Sequence, residues 1–344
     1  MTLSKLGSRL LRGLAFGSAL ALVAASPLYA AGRSTDEALT LVPTDAASVA
    51  LVRFSELRSS PLASKLFSDM DHISADGDAA RFMTEARLDP KTDVDTIAIA
   101  GLGSSGPSDG VLAIFEGRFD PDRLAAAAID RGAVKATGAG GTYYILPDRS
   151  STDSGHGRGA AAFVSSHLVI AGSESAVAQA LVARAAGGTG FASGAGLGRQ
   201  LSRVDVASSA WVIVDMTRYP AVQRGLDRER SHTQGSETAS ALIGAMKSVT
   251  LFTFQATVKS DGLDLAASGV ARDADTRQLL EDSLRGVVAM LRLAVQDKQP
   301  DLVPVLRRFQ VGSDGDAVTI SGNLPASALK TLTAKTEKEK RAGK

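Results

Sequence analysis

The chain has 344 residues, 44% of them apolar, 22% charged and only 5% aromatic, which is the make-up of a globular protein with a core of Val, Leu, Ile and Ala. It contains no cysteine, so disulfides, iron–sulfur clusters, thiolate zinc sites, a cysteine nucleophile and a lipid-modified N-terminal cysteine are excluded. The 38 basic and 37 acidic residues nearly cancel, leaving no positive field for nucleic acid.

Residues 1–30 read as a signal peptide. Lys5, Arg9 and Arg12 form the basic start, residues 14–25 the apolar stretch, and Leu28-Tyr29-Ala30 a cleavage site that ends on a small residue. The expected mature chain starts at Ala31 and is periplasmic or secreted in a bacterium. The alternative is an inner-membrane anchor over residues 13–32, because no charge falls between Arg12 and Arg33. Pro27 and the Ala, Gly and Ser flanks favour cleavage, after which no stable membrane span is expected. The body, 31–334, then has 30 basic and 35 acidic residues, and the tail, 335–344, has five basic and two acidic ones. That tail reads as a solvated end.

Next comes an apolar run at 49–52 that suits a strand covered on both faces, followed by a helical stretch towards residue 66. The phrase Leu88-Asp89-Pro90-Lys91-Thr92-Asp93-Val94-Asp95 leads into a strand over 94–101. Together with the signal peptide and the strand–helix opening, it resembles uncharacterised secreted bacterial proteins rich in Ala and Gly. The resemblance covers about the first third of the chain. It implies an extracytoplasmic bacterial protein and carries no activity, cofactor or site residue.

Gly101-Leu102-Gly103-Ser104-Ser105-Gly106 fits the dinucleotide fingerprint, yet Pro107-Ser108-Asp109 leads into another strand, 110–117. The fingerprint needs a helix N-terminus facing the pyrophosphate, so a hairpin loop is expected here. Asp120 and Pro121 start a helix that Arg131-Gly132 ends. Gly138, Gly140 and Gly141 mark turns between short strands, and 148–159 is a polar loop. A short helix is expected at 174–185. The glycine-rich stretch 187–198 has the composition of a flexible hinge.

A repeat then emerges. Asp45-Ala46-Ala47-Ser48-Val49-Ala50 recurs as Asp205-Val206-Ala207-Ser208-Ser209-Ala210, again leading into an apolar run, 210–214. Strands at 249–258 and 263–270 answer those at 94–101 and 110–117. Asp273-Ala274-Asp275 opens a helix over 276–296 with Leu280, Leu284, Val287, Val288, Leu291, Ala294 and Val295 on one face. Ile320-Ser321-Gly322 answers Ile170-Ala171-Gly172, and a last helix is expected at 326–334. The expected fold is α+β: two similar lobes from a tandem duplication, 31–190 and 191–334. Each is a mostly antiparallel sheet with helices packed on it, in a β-α-β-β-α-β-β-α pattern.

Chemistry-bearing patterns are sparse. His72, His156, His167 and His232 lack metal-ligand spacing and fall in loops or turns. Ser327-Ala328-Leu329-Lys330 matches S-x-x-K without the companion motifs of penicillin-recognising enzymes. The pairs Asp69/Asp71, Asp76/Asp78, Asp93/Asp95, Asp120/Asp122, Asp273/Asp275 and Asp314/Asp316 read as helix caps and turns. No catalytic, cofactor-binding or metal-ligating residue is assigned, and no cofactor is expected. The expected function is non-catalytic binding of a protein, peptide or apolar ligand in a crevice between the lobes. The aromatic residues available to such a crevice are Trp211, Tyr143, Tyr144 and Tyr219, with Trp211 itself read as a core residue. The alternatives are a hydrolase assembled from scattered Asp, Ser and His residues and a structural subunit of an envelope assembly.

Overall fold

Alternating and continuous apolar runs dominate the chain between its glycine turns, and in the computed structural model they join into one twelve-stranded sheet. The structure describes residues 37–58, 77–103, 110–147, 158–219, 244, 246–298 and 302–328. The signal segment, the basic tail, residues 329–334, and His72, His156 and His232 lie outside the described residues.

The strands in chain order are β1 (Ser48–Arg53), β2 (Val94–Gly101), β3 (Val111–Gly117), β4 (Val134–Gly138), β5 (Gly141–Ile145) and β6 (Gly159–Ser165). They continue with β7 (Leu168–Ser173), β8 (Ala210–Asp215), β9 (Val249–Lys259), β10 (Gly262–Ala271), β11 (Gln310–Asp314) and β12 (Ala317–Pro325). The spatial order is β11-β12-β10-β9-β8-β1-β2-β3-β7-β6-β5-β4, and every neighbouring pair is antiparallel. The fold is thus α+β with an antiparallel sheet.

The expected pair of sheets is a single one, because β1 pairs directly with β8, setting Val49 opposite Ile213 and Leu51 opposite Trp211. A backbone ladder occupies the line where the inter-lobe crevice was expected. Arg218 reinforces it, reaching back to donate to the carbonyls of Leu102 (2.9 Å) and Asp45.

The helices are α1 (Glu37–Leu41), α2 (Phe54–Arg58), α3 (Gly77–Ala86), α4 (Pro90–Asp93), α5 (Pro121–Asp130), α6 (Glu174–Ala185), α7 (Ala274–Lys298) and α8 (Val303–Arg307). On one face of the first half, Val49, Leu51, Ala98, Ala100, Leu112, Ile114 and Ile170 form a core with α1 and α6. The register carries that face into the second half as Thr253, Gln255, Ser268, Thr319 and Ser321 interleaved with Leu251, Ala266, Val270 and Ala317, a mixed face where the first half is aliphatic. The opposite face takes α3 and α5 on the first half and α7 on the second.

The expected stripe on α7 is buried at Leu280 and Val288, while Leu291 stays 47% exposed. There the helix packs on α8, and Arg292 donates to the carbonyls of Leu306 (3.2 Å) and Phe309 (2.9 Å).

The glycine-rich stretch differs most from expectation. It forms two 3-10 turns, Gly190–Ser193 and Gly196–Arg203, packed on the sheet. Phe191 is fully buried and stacks on Trp211 at 6.4 Å between ring centroids. Gly190 (φ +45°) and Gly196 (φ +54°) are needed for close approach: a β-carbon would collide with the carbonyls of Thr40 and Val42 at the first and of Thr44 at the second. Composition suggested a hinge, and packing uses the same glycines to bring two backbones together.

Among the described residues, no helix is long and apolar enough to cross a membrane, which says nothing of strands.

Candidate functional site

An open concavity lies on the first half, where α3, α4, the end of β3 and the start of α5 meet. Its construction begins with two tetrapeptides of one pattern, Arg87-Leu88-Asp89-Pro90 and Arg118-Phe119-Asp120-Pro121. In each, the aspartate caps the helix that follows and the proline occupies its first turn, where a missing N–H costs nothing. Asp89 Oδ1 accepts from the Lys91 N–H at 3.0 Å, and Asp120 Oδ1 from the Arg123 N–H at 3.1 Å. The cap dihedrals nearly coincide, at φ −106°, ψ 102° for Asp89 and φ −108°, ψ 98° for Asp120. With both caps fixed, the preceding arginine and apolar residue of each segment line the same cleft of about 500 Å³.

The floor is apolar. Leu88, Phe119 and Leu124 pack with Ala86 and Ala127 over Phe163 and Val169 of the sheet. The rim is made of Arg87, Arg118 and Arg123, with Ser166 from the β6–β7 turn. Arg118 donates to the Thr92 carbonyl and meets Asp95 Oδ2 at 3.3 Å, while Arg123 Nε meets Asp120 Oδ2 at 2.8 Å. The two carboxylates on the lining are committed to the backbone: Asp120 as the cap of α5, and Asp93 by accepting the Asp89 N–H at 2.8 Å.

Arg87 differs from the other two. It is the one described non-glycine residue with positive φ, at +51°. It sits just past the end of α3, with its own N–H on the Thr84 carbonyl (3.2 Å) and the Leu88 N–H on the Met83 carbonyl (2.9 Å). This double bond pattern closes a helix with a left-handed residue, usually glycine. An arginine there costs about 1 kcal/mol or more of backbone strain.

No family model matches the chain, and no curated protein matches it. Several solved structures do resemble it, among them three crystal forms of a protein named TP0453. Crystal form III superposes with a TM-score of 0.48 at 11% identity, covering 88% of this chain and 99% of that one. Crystal form IV gives 0.45 at 10% identity over 86% and 95%, and crystal form I gives 0.44 at 11% over 88% and 98%.

The expected site residues scatter. Trp211 and Tyr144 are core residues, Tyr144 with its ring 5.3 Å from that of Phe163. Tyr143 donates to Glu174 at 3.3 Å, and Tyr219 bonds Ser48 at 2.6 Å, with burial holding its phenol above the usual value. Gly101 ends β2 of the antiparallel β2–β3 pair and Gly103 follows it at φ +65°, while Gly106 and the rest of the expected hairpin loop lie outside the described residues. Asp273 caps α7, and the hydrogen bonds from Thr276 hold its carboxyl below the usual range. Asp316 makes a double contact with Arg203 at 2.8 and 2.9 Å, and those bonds likewise lower its carboxyl.

The fold also brings Ser165, His167 and Glu37 together. Ser165 Oγ lies 3.1 Å from His167 Nδ1, and His167 Nε2 lies 3.1 Å from Glu37 Oε2. The same Oγ accepts the His167 N–H at 3.3 Å, which is the bonding of a turn, and the imidazole is 57% exposed. A nucleophile and base gain from a water-excluded pocket that this position does not offer.

Proposed function

We propose that the chain is an exported, non-catalytic binding protein that grew by duplication of one α+β unit and takes its ligand in the Arg87–Arg118–Arg123 cleft. The observation that carries the reading is the convergence of two Arg-apolar-Asp-Pro segments on one concavity with an apolar floor and a charged rim. Such a mix of apolar lining and few placed polar groups is what small-ligand sites share. The duplication is supported by strand order, which runs β1-β2-β3-β7-β6 outward on one side and β8-β9-β10-β12-β11 on the other. Export, to the periplasm or beyond, is supported by the basic, apolar and small-residue succession of residues 1–30.

A thermal-shift screen of apolar and peptide ligands on the exported protein tests the binding reading. A ligand that raises the Tm of the wild type, but not of Ser166→Trp, supports it, since an indole at this exposed rim position fills the mouth. A ligand that raises both equally places binding elsewhere. A second reading, an assembly subunit, draws on β4 and β11, which end the sheet and, among the described residues, are each paired on one side only. Concentration-dependent self-association abolished by Lys135→Pro in β4 would favour it.

A further inference from the structure

We propose that the cleft recognises a terminal carboxylate carried on an apolar chain, with Arg87 as the residue that binds the anion. The inference rests on the cleft being the binding site and adds the chemical class of its ligand.

Three features of the cleft point to this chemistry. Its floor of Leu88, Phe119 and Leu124 belongs to an apolar cluster packed on Phe163 and Val169 and offers dispersion contacts without hydrogen-bonding demands. The carboxylates on the lining are bound to backbone N–H groups, so they do not neutralise the whole rim. Of the three guanidinium groups, Arg118 is held by Asp95 and Thr92, and Arg123 by Asp120. Arg87 is placed at the rim by a backbone conformation that glycine would adopt more easily. Strain retained at a cleft is a pointer to use of the side chain, because nothing in the helix ending itself calls for arginine. A guanidinium offers two parallel N–H donors, matching the two oxygens of a carboxylate. A volume of about 500 Å³ fits a chain of moderate length.

The source of the carboxylate is either a free alkanoate or the C-terminus of an apolar peptide, and the test separates them. Calorimetric titration of the full mature chain is run with decanoate, with decanol, and with the peptide Ala-Leu-Phe carrying a free or an amidated C-terminus. Decanoate or the free peptide should bind at least tenfold more tightly than its uncharged counterpart. Arg87→Gly should weaken that binding at least tenfold while leaving the Tm equal to or above that of the wild type, because glycine relieves the left-handed strain. A purely structural arginine would show no change in binding. Equal binding of charged and uncharged probes, unchanged affinity in Arg87→Gly, or no binding by any of the four probes overturns the proposal. If uncharged ligands still shift the wild type and not Ser166→Trp, the binding reading survives and only the carboxylate is lost.

Discussion

Replacing Trp211 by alanine gives a direct measure of how the seam between the halves is held. The indole is 2% exposed, faces Leu51 across the β1–β8 ladder and Gln255 across β8–β9, and is stacked on Phe191. An aromatic side chain of this size removes roughly 200 Å² from water, worth about 5 kcal/mol at about 25 cal/mol per Å² as an upper bound. Phe191 is fixed by the packed glycine turns around it, so the vacated space closes poorly. The expected loss is about 4 kcal/mol, inside the range for aromatic truncations in cores. Trp211 Nε1 is buried with no hydrogen-bond partner among the described residues, so Trp211→Phe forfeits none of their bonds and should cost only about 1 kcal/mol. Urea unfolding followed by far-UV circular dichroism suits both variants, since the chain has no second tryptophan. A loss below about 1 kcal/mol for Trp211→Ala, with an unchanged m-value, would refute the packing argument. Equal losses for the two variants would show that the indole N–H has a partner.

Gly196→Ala should destabilise by at least about 2 kcal/mol, because a left-handed conformation and the Thr44 carbonyl both oppose a β-carbon; chemical denaturation checks it. The Arg203 pair keeps Asp316 ionised to lower pH than an unfolded carboxyl of about 3.9, so its contribution is present above that value and is lost as pH falls through the folded value. Asp316→Asn should therefore flatten the stability profile below about pH 4, by less than about 1 kcal/mol because the aspartate is half exposed. Intact-mass measurement of the exported chain should begin at Ala31, and recovery of residues 1–30 in a membrane fraction would favour the anchor.

Much of the sheet was legible because strand and cap signals are local. The β2–β3 and β9–β10 pairs, the Asp120–Pro121 start of α5 and the Gly132 ending all follow from nearest-neighbour chemistry. The seam was not legible as a seam. The runs at 49–52 and 210–214 suggest strands covered on both faces, which β8 is while β1 buries Val49 and Leu51 more fully than Ala50 and Val52, and only tertiary pairing decides that the two cover each other's edges. The glycines of 187–198 misled because flexibility and close approach require the same residue. Phe191 and Leu197 inside that stretch were the available sign that it is packed. The cleft was missed although its signal is in the sequence. Arg87-Leu88-Asp89-Pro90 and Arg118-Phe119-Asp120-Pro121 share a pattern, but the second reads locally as a helix start and the first only as a phrase leading into a strand.

The β1–β8 pairing also orders events in time. Every other pair in the sheet lies within one half, whereas β1 must wait for a strand that begins 157 residues after its own last residue. At about 5–20 residues per second, synthesis leaves an interval of roughly 8–31 s in which Val49 and Leu51 sit on a raw strand edge. An edge in that state is open to pairing with another chain. A cell making this protein thus gains from delaying the folding of its first half until the second is complete, and passage through an export channel in an extended form would impose that delay.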